Sequence, residues 1–149
     1  MLAPGYSGFR SGIVGHVYNE TAFRHFLAMD RWRAARTRRS ILLALVAVRH
    51  SPGVNVKLTD VTAAALFGGL GACVREVDFI GWYREGYVAG AVLAQGSKAS
   101  GNEPHLIAER IRPAIGNRLT ASEATNLRVR VVRFDRGVTG MLPGRGPMQ

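Results

Sequence analysis

The chain has 149 residues and a formal net charge of +10. Hydrophobic residues make up 47% of it and charged residues 20%, which excludes a disordered chain and suffices for one globular domain with a real core. The positive charge indicates an anionic partner, and nucleic acid, an anionic membrane surface and a phosphate-bearing small ligand all fit this description.

The N-terminal residues and the single cysteine indicate where the protein works. Residues 1–17 are glycine-rich and lack both periodicity and the pattern of a signal peptide, so they predict an irregular arm. The longest apolar run, residues 41–48, is too short to span a bilayer. Cys73 has no partner for an internal disulfide. These features predict a cytoplasmic protein without a transmembrane segment.

The first regular element is an amphipathic helix over residues 20–39, for which Asn19 is a plausible N-cap. Its apolar residues recur at spacings of three and four. Arginines crowd its C-terminal end, in residues 31–39. This run is typical of a solvated helix end, where cations are favourable. Binding of nucleic acid or anionic lipid is the alternative.

A strand buried on both faces is predicted next at residues 41–48, because the run is continuously apolar. A helix rich in alanine and glycine follows at 60–75. Its Gly68, Gly69 and Gly71 lack the Lys-Ser/Thr of a phosphate loop, so they indicate close packing of the helix on a sheet.

The second half of the chain begins with two strands, 77–83 and 87–94, whose tight connection predicts a hairpin. A loop, a helix and a last strand come next, at residues 96–102, 103–117 and 127–134. Strands separated by helices imply crossover connections. We therefore predict an α/β fold over residues 18–135, with a mixed central sheet flanked by helices, and a flexible tail at 136–149.

Four stretches of the sequence carry a family resemblance in the right order. Residues 14–19 with Phe23 are similar to an opening Leu-Thr-Gly-Leu-x-Asn-Arg-x-x-Phe motif, and residues 42–48 with Asp60 correspond to a metal-binding strand and the next helix start. Residues 75–88 resemble Arg-x-x-Asp followed by Arg-Tyr-Gly-Gly-Asp-Glu-Phe. Residues 108–112 match an Ala-Glu-Arg-Ile-Arg helix. Across residues 12–134 the chain resembles a GGDEF domain, the fold of bacterial diguanylate cyclases.

The departures from this family fall on its catalytic residues. Tyr87 and Val88 stand where the hairpin signature has carboxylates, and the strand 41–48 ends in aliphatic residues followed by Arg49. Magnesium needs oxygen ligands, and phosphoryl transfer depends on the metal. The histidines show no metal-ligand spacing either. The resemblance therefore implies a degenerate domain that is not an enzyme and holds no metal or other cofactor.

The inhibitory site of the family is retained. There, Arg-x-x-Asp binds cyclic-di-GMP with help from an arginine of the following helix. Arg75 and Asp78 match this motif, Arg110 is the candidate for the third residue, and Arg112 is its substitute. A guanidinium can fork onto a guanine edge or a phosphate, and an aspartate can accept from guanine N–H groups.

The resemblance implies a receptor for cyclic-di-GMP or a related cyclic dinucleotide. Such a receptor would act through a protein partner in a signalling or exopolysaccharide pathway, and a homodimer is one arrangement open to it. A plain surface ion pair between Arg75 and Asp78 is an equal alternative. A docking domain without a nucleotide and a basic nucleic-acid-binding module also stay open as functions. A third alternative is a cyclase or another nucleotide enzyme with unusual site residues.

Overall fold

The computed structural model describes residues 17–37, 39–51, 53–75, 78–94 and 102–134. The arm, the loop and the tail predicted at 1–17, 96–102 and 136–149 lie outside the described residues, apart from Val17 and Asn102. Within the described ranges, no helix combines the length and the apolar character that a membrane span requires.

The described residues form six strands and four helices. They are β1 (Val17–Tyr18), α1 (Glu20–Thr37), β2 (Ile41–Ser51), β3 (Val54–Asn55), α2 (Asp60–Cys73), β4 (Phe79–Arg84), β5 (Val88–Ala94), α3 (Glu103–Gly116), α4 (Ala121–Thr125) and β6 (Leu127–Phe134). Every predicted strand and helix is present, and β6 has the predicted bounds. Asn19 caps α1 as expected, since its side-chain oxygen accepts from the Ala22 N–H at 2.9 Å.

The strands form one mixed sheet, which confirms the predicted fold class. Its order is β1-β4-β5-β2-β3, and β6 pairs with β2. β1 runs parallel to β4, and the other pairs are antiparallel. β4 and β5 form the predicted hairpin, and Gly86 in its turn has a φ of 80°, a conformation that favours glycine.

β2 is apolar throughout because both faces of the sheet are covered. Leu42, Ala44 and Val46 pack in a core with residues of α2 and α3. Leu43 and Leu45, which alternate with them along the strand, pack on the opposite face with residues of α1. All five side chains are fully buried. The alternation of faces along a strand thus turns one apolar run into two cores.

Gly69 of α2 permits close helix packing, but its partner differs from the prediction. A Cβ added at Gly69 would lie 2.4 Å from Ile115 Cγ1 and 2.8 Å from Ile115 Cα. Ile115 belongs to α3, so this glycine permits close approach of two helices and not of a helix to the sheet. The glycines in the sequence indicated that another element packs closely against α2, but they could not indicate whether this element is a strand or a helix.

Candidate functional site

Asp78 is a fully buried carboxylate at the junction between α2 and β4, with its side chain 0% exposed. Its Oδ2 accepts a hydrogen bond from the Arg75 backbone N–H at 2.8 Å and lies 3.5 Å from Arg75 Nε. Its Oδ1 accepts from the backbone N–H of Ala94 at 3.0 Å, at the end of β5. Asp78 therefore fixes the junction to the neighbouring strand.

Arg75 is the exposed member of this pair, with 64% of its side chain accessible. The predicted helix 60–75 ends earlier, at Cys73, and Val74 is extended with φ −106° and ψ 158°. Arg75 thus lies beyond the end of the helix, and its backbone N–H donates to the Asp78 carboxylate and not to a helix carbonyl. One terminal nitrogen of the guanidinium donates to the Ala94 carbonyl oxygen. Arg75 and Asp78 both form hydrogen bonds with the backbone of Ala94. These contacts orient the Arg75 side chain, which remains accessible to solvent.

Arg110 lies close to the same junction. Its guanidinium donates to the carbonyl oxygen of Cys73 at 3.3 Å, two residues before Arg75. Arg112 is exposed, but two positions along α3 correspond to a rotation of about 200° around the helix. The structure therefore brings the Arg110 guanidinium to Cys73, two residues before Arg75, and helix geometry puts Arg112 on the other side of α3.

A cleft of about 500 Å³ adjoins Ala94, and the sequence did not predict it. Its lining residues are Asp30, Arg33, Ala34, Thr37, Arg39, Ser40, Ile41 and Ala94. Arg33 and Arg39 belong to the basic run 31–39, whose function the sequence left undecided. Two cations of the basic run therefore lie in the same cleft as Ala94, the last residue of β5, to which Arg75 and Asp78 are hydrogen-bonded.

Two polar groups of this cleft are desolvated. Ser40 is 6% exposed, and its hydroxyl has no hydrogen-bond partner within the described part of the chain. Burial raises the pKa of Asp30, an effect that the Arg33 guanidinium at 3.2 Å opposes. The cleft wall thus offers a buried hydroxyl as well as positive charge.

The acidic residue of the hairpin turn, Glu85, is engaged within the protein. Its Oε1 accepts from the Glu20 N–H at 3.0 Å, in the first turn of α1, and the Glu85 N–H donates to Glu20 Oε1 at 2.6 Å. A carboxylate at a helix N-terminus is favourable because it satisfies a free N–H and the helix dipole. Glu85 therefore links the turn to α1.

The segment after β3 connects β2 to the hairpin turn. The Val56 N–H donates to the Val48 carbonyl oxygen at 2.8 Å, and the Leu58 N–H donates to the Gly86 carbonyl oxygen at 2.8 Å. Backbone groups thus join the two places where the family resemblance puts its metal and nucleotide ligands. Among the described residues, no group of three or more His, Cys, Asp or Glu side chains could hold a metal ion.

Solved GGDEF domains have the same fold. The GGDEF domain of FimX from Pseudomonas aeruginosa is 15% identical, with a TM-score of 0.64 over 90% of this chain and 84% of that one. The GGDEF domain of DgcB from Caulobacter crescentus, solved in complex with c-di-GMP, is 18% identical, with a TM-score of 0.56 over 83% and 77%.

A third similar structure is the diguanylate cyclase SiaD from Pseudomonas aeruginosa in complex with its activator SiaC. It is 20% identical, with a TM-score of 0.60 over 83% of this chain and 49% of that one. A scan against protein-family models and a search of curated proteins found no match. The chain thus has a GGDEF-like fold, and at these identities the likeness establishes the fold alone.

Proposed function

We propose that this GGDEF-like domain is a non-catalytic receptor for cyclic-di-GMP or a related guanine dinucleotide. The observation that carries the proposal is the fixed position of Arg75. A buried carboxylate, that of Asp78, holds the residue, and 64% of the Arg75 side chain is left accessible. Preorganisation of this kind lowers the entropy that a side chain loses on binding.

The chemistry around Arg75 suits an anionic dinucleotide. Arg110 lies on one side of the junction, and the cleft with Arg33 and Arg39 adjoins Ala94. A guanidinium binds phosphate or the guanine Hoogsteen edge through two parallel hydrogen bonds and can stack on a purine. The cleft volume, about 500 Å³, falls in the range of small-molecule sites.

Asp78 takes a different role in this proposal from the one that the family resemblance implies. Both of its oxygens accept hydrogen bonds from backbone N–H groups, and its side chain is 0% exposed. We therefore assign Asp78 to positioning Arg75, and guanine recognition to the arginines.

The non-catalytic part of the proposal rests on the region of the hairpin. Ala47 and Val48, where the family resemblance puts metal ligands, are buried aliphatic residues within β2, and Val88 is buried at the start of β5. None of them offers an oxygen ligand to magnesium. Glu85 caps α1 in place of facing a metal. Without oxygen ligands at these described positions, the domain lacks what phosphoryl transfer requires.

A receptor that consists of this domain needs a second protein to produce an output. SiaD, which has the same fold, was solved with a protein activator. We propose that this domain likewise contacts a protein partner in a signalling or exopolysaccharide pathway.

Calorimetric titration of the pure protein tests the proposal. The panel contains cyclic-di-GMP, a second cyclic dinucleotide, GTP and a short DNA duplex. We expect saturable binding of the guanine dinucleotide with micromolar or better affinity. Absence of binding to every dinucleotide would favour a docking domain, and salt-sensitive binding of DNA alone would favour a nucleic-acid module.

A further inference from the structure

One flank of α1 exposes an apolar stripe, which consists of Phe26, Met29 and Trp32. The described residues include six exposed large hydrophobic side chains: Phe26 36%, Met29 42%, Trp32 65%, Val54 53%, Val61 82% and Leu106 49% exposed. The three on α1 follow each other at intervals of three, so they are neighbours on the helix surface. The others lie on different elements.

The stripe ends in a cluster of cations. Arg36 places its guanidinium 4.6 Å from the centre of the Trp32 ring, one turn earlier in α1. Arg33 has 64% of its side chain exposed, and Arg39 is exposed beyond the end of the helix. At the other end, the Phe26 ring lies 5.0 Å from the Tyr18 ring. The apolar stripe thus has a basic border at one end and aromatic support at the other.

We propose that this flank of α1 binds the surface of an anionic lipid bilayer. Trp32, Met29 and Phe26 would enter the boundary between headgroups and acyl chains, and the arginines would contact lipid phosphates. A helix with a tryptophan and other apolar side chains on one flank, and arginines beside them, fits this boundary. The net charge of +10 attracts the protein to such a surface.

The small area of the stripe favours a bilayer over a second copy of the chain. Three partly exposed side chains offer on the order of a few hundred Å², whereas a stable interface buries about 800 Å² on each partner. A bilayer needs only a few inserted side chains, because the charge attraction adds to their burial. Nucleic acid is less suitable, since phosphate contacts make no use of Phe26 and Met29.

Vesicle co-sedimentation of the full chain tests the proposal. The probes are vesicles of phosphatidylcholine alone and of phosphatidylcholine mixed with phosphatidylglycerol. We expect binding to the mixed vesicles only, weakened by salt. Trp32→Ser should lower the partition coefficient by about tenfold, because the most exposed residue of the stripe no longer inserts. Arg36→Ala should lower it less.

Val61→Ser and Leu106→Ser are the matched controls, since both remove an exposed hydrophobic side chain outside α1. Neither should change vesicle binding, and unchanged melting temperatures would show that all variants fold. Tryptophan fluorescence gives a second readout. Trp82 is only 3% exposed, so a blue shift on vesicle addition reports Trp32, and Trp32→Phe should abolish it.

Several results would overturn the proposal. They are the absence of binding to mixed vesicles, an equal loss in the control variants, and a dimer that buries Trp32 without lipid. Binding of duplex DNA with no binding of vesicles would also overturn it. Arg75→Ala should leave vesicle binding unchanged, so failure of this proposal and failure of the nucleotide proposal can be distinguished.

Discussion

The carboxylate of Asp78 and the backbone N–H of Arg75 are 2.8 Å apart, and the same oxygen lies 3.5 Å from Arg75 Nε. The two residues differ sharply in environment, since Asp78 is 0% and Arg75 64% exposed. The two specified positions of the Arg-x-x-Asp motif, Arg75 and Asp78, thus have different roles. The aspartate holds the backbone, and the arginine faces solvent.

Asp78→Asn should lower the free energy of unfolding by about 1–3 kcal/mol, because an amide NH₂ would then face a backbone donor in a buried position. Urea denaturation measures this change. Arg75→Ala is the control and should cost less than about 1 kcal/mol, since the side chain it removes is exposed. Equal losses in the two variants would contradict the division of tasks.

Pure protein with GTP and Mg²⁺ should form no cyclic-di-GMP. The reason is the lack of carboxylates at Val48, Arg49, Tyr87 and Val88, together with the use of Glu85 at the start of α1. Chromatography of the reaction products is the measurement, with an active diguanylate cyclase as positive control. Steady product formation that scales with protein concentration would contradict the non-catalytic assignment.

Most of the fold could be predicted from the sequence because its signals are local. The apolar run 41–48 marked a strand buried on both faces, and Arg84, Glu85 and Gly86 marked a tight turn. The short elements β1, β3 and α4 were missed. β1 has two residues and owes its pairing to β4, which is more than sixty residues away in the chain.

The candidate site was harder to predict because it depends on tertiary contacts. The sequence predicted Arg75, Asp78 and Arg110 as ligand-binding residues, and this stays a prediction. It did not show that the Ala94 carbonyl oxygen accepts from Arg75 or that the Ala94 N–H donates to Asp78. The cleft with Arg33 was also missed. The basic run in which Arg33 lies was visible, and only the packing of α1 against the sheet shows which of its arginines adjoin Ala94.

Gly69→Ala should destabilise the protein by about 1–3 kcal/mol, because the new methyl group would overlap Ile115 and force α2 and α3 apart. Thermal unfolding followed by circular dichroism measures the effect. Gly116→Ala is the matched control, since nothing lies within 4 Å of a Cβ at this helical position. It should be neutral or stabilising by up to about 1 kcal/mol. Similar melting temperatures for the two variants would contradict the packing.

Glu123 should make stability depend on pH in the acid range. The Thr62 hydroxyl donates to its Oε2 at 2.6 Å, and the Thr120 N–H and hydroxyl donate to its Oε1. These bonds, that of Thr62 first, lower the pKa of Glu123 from its ordinary 4.5. The contribution is therefore present above pH 4.5 and is lost as pH falls through the lower folded-state value.

Glu123→Gln tests this dependence, because glutamine keeps an oxygen acceptor and does not titrate. The stability difference between wild type and variant should be largest near neutral pH and should shrink below pH 4.5. Urea denaturation at several pH values gives the curve. A difference that is constant from neutral to acid pH would show that the carboxylate charge has no part in the contacts with Thr62 and Thr120.

Calorimetric titration of cyclic-di-GMP into the wild type and into Arg75→Ala tests the central claim most directly. A bidentate, charge-assisted contact is worth about 1.5–3 kcal/mol, so the variant should bind at least about tenfold more weakly with its fold intact. Arg75→Lys should not restore the affinity, because an ammonium lacks the planar fork. Arg112→Ala, which removes an exposed arginine on the other side of α3, should bind as the wild type does. A wild type that binds no cyclic dinucleotide, or an Arg75→Ala variant with unchanged affinity, would contradict the account.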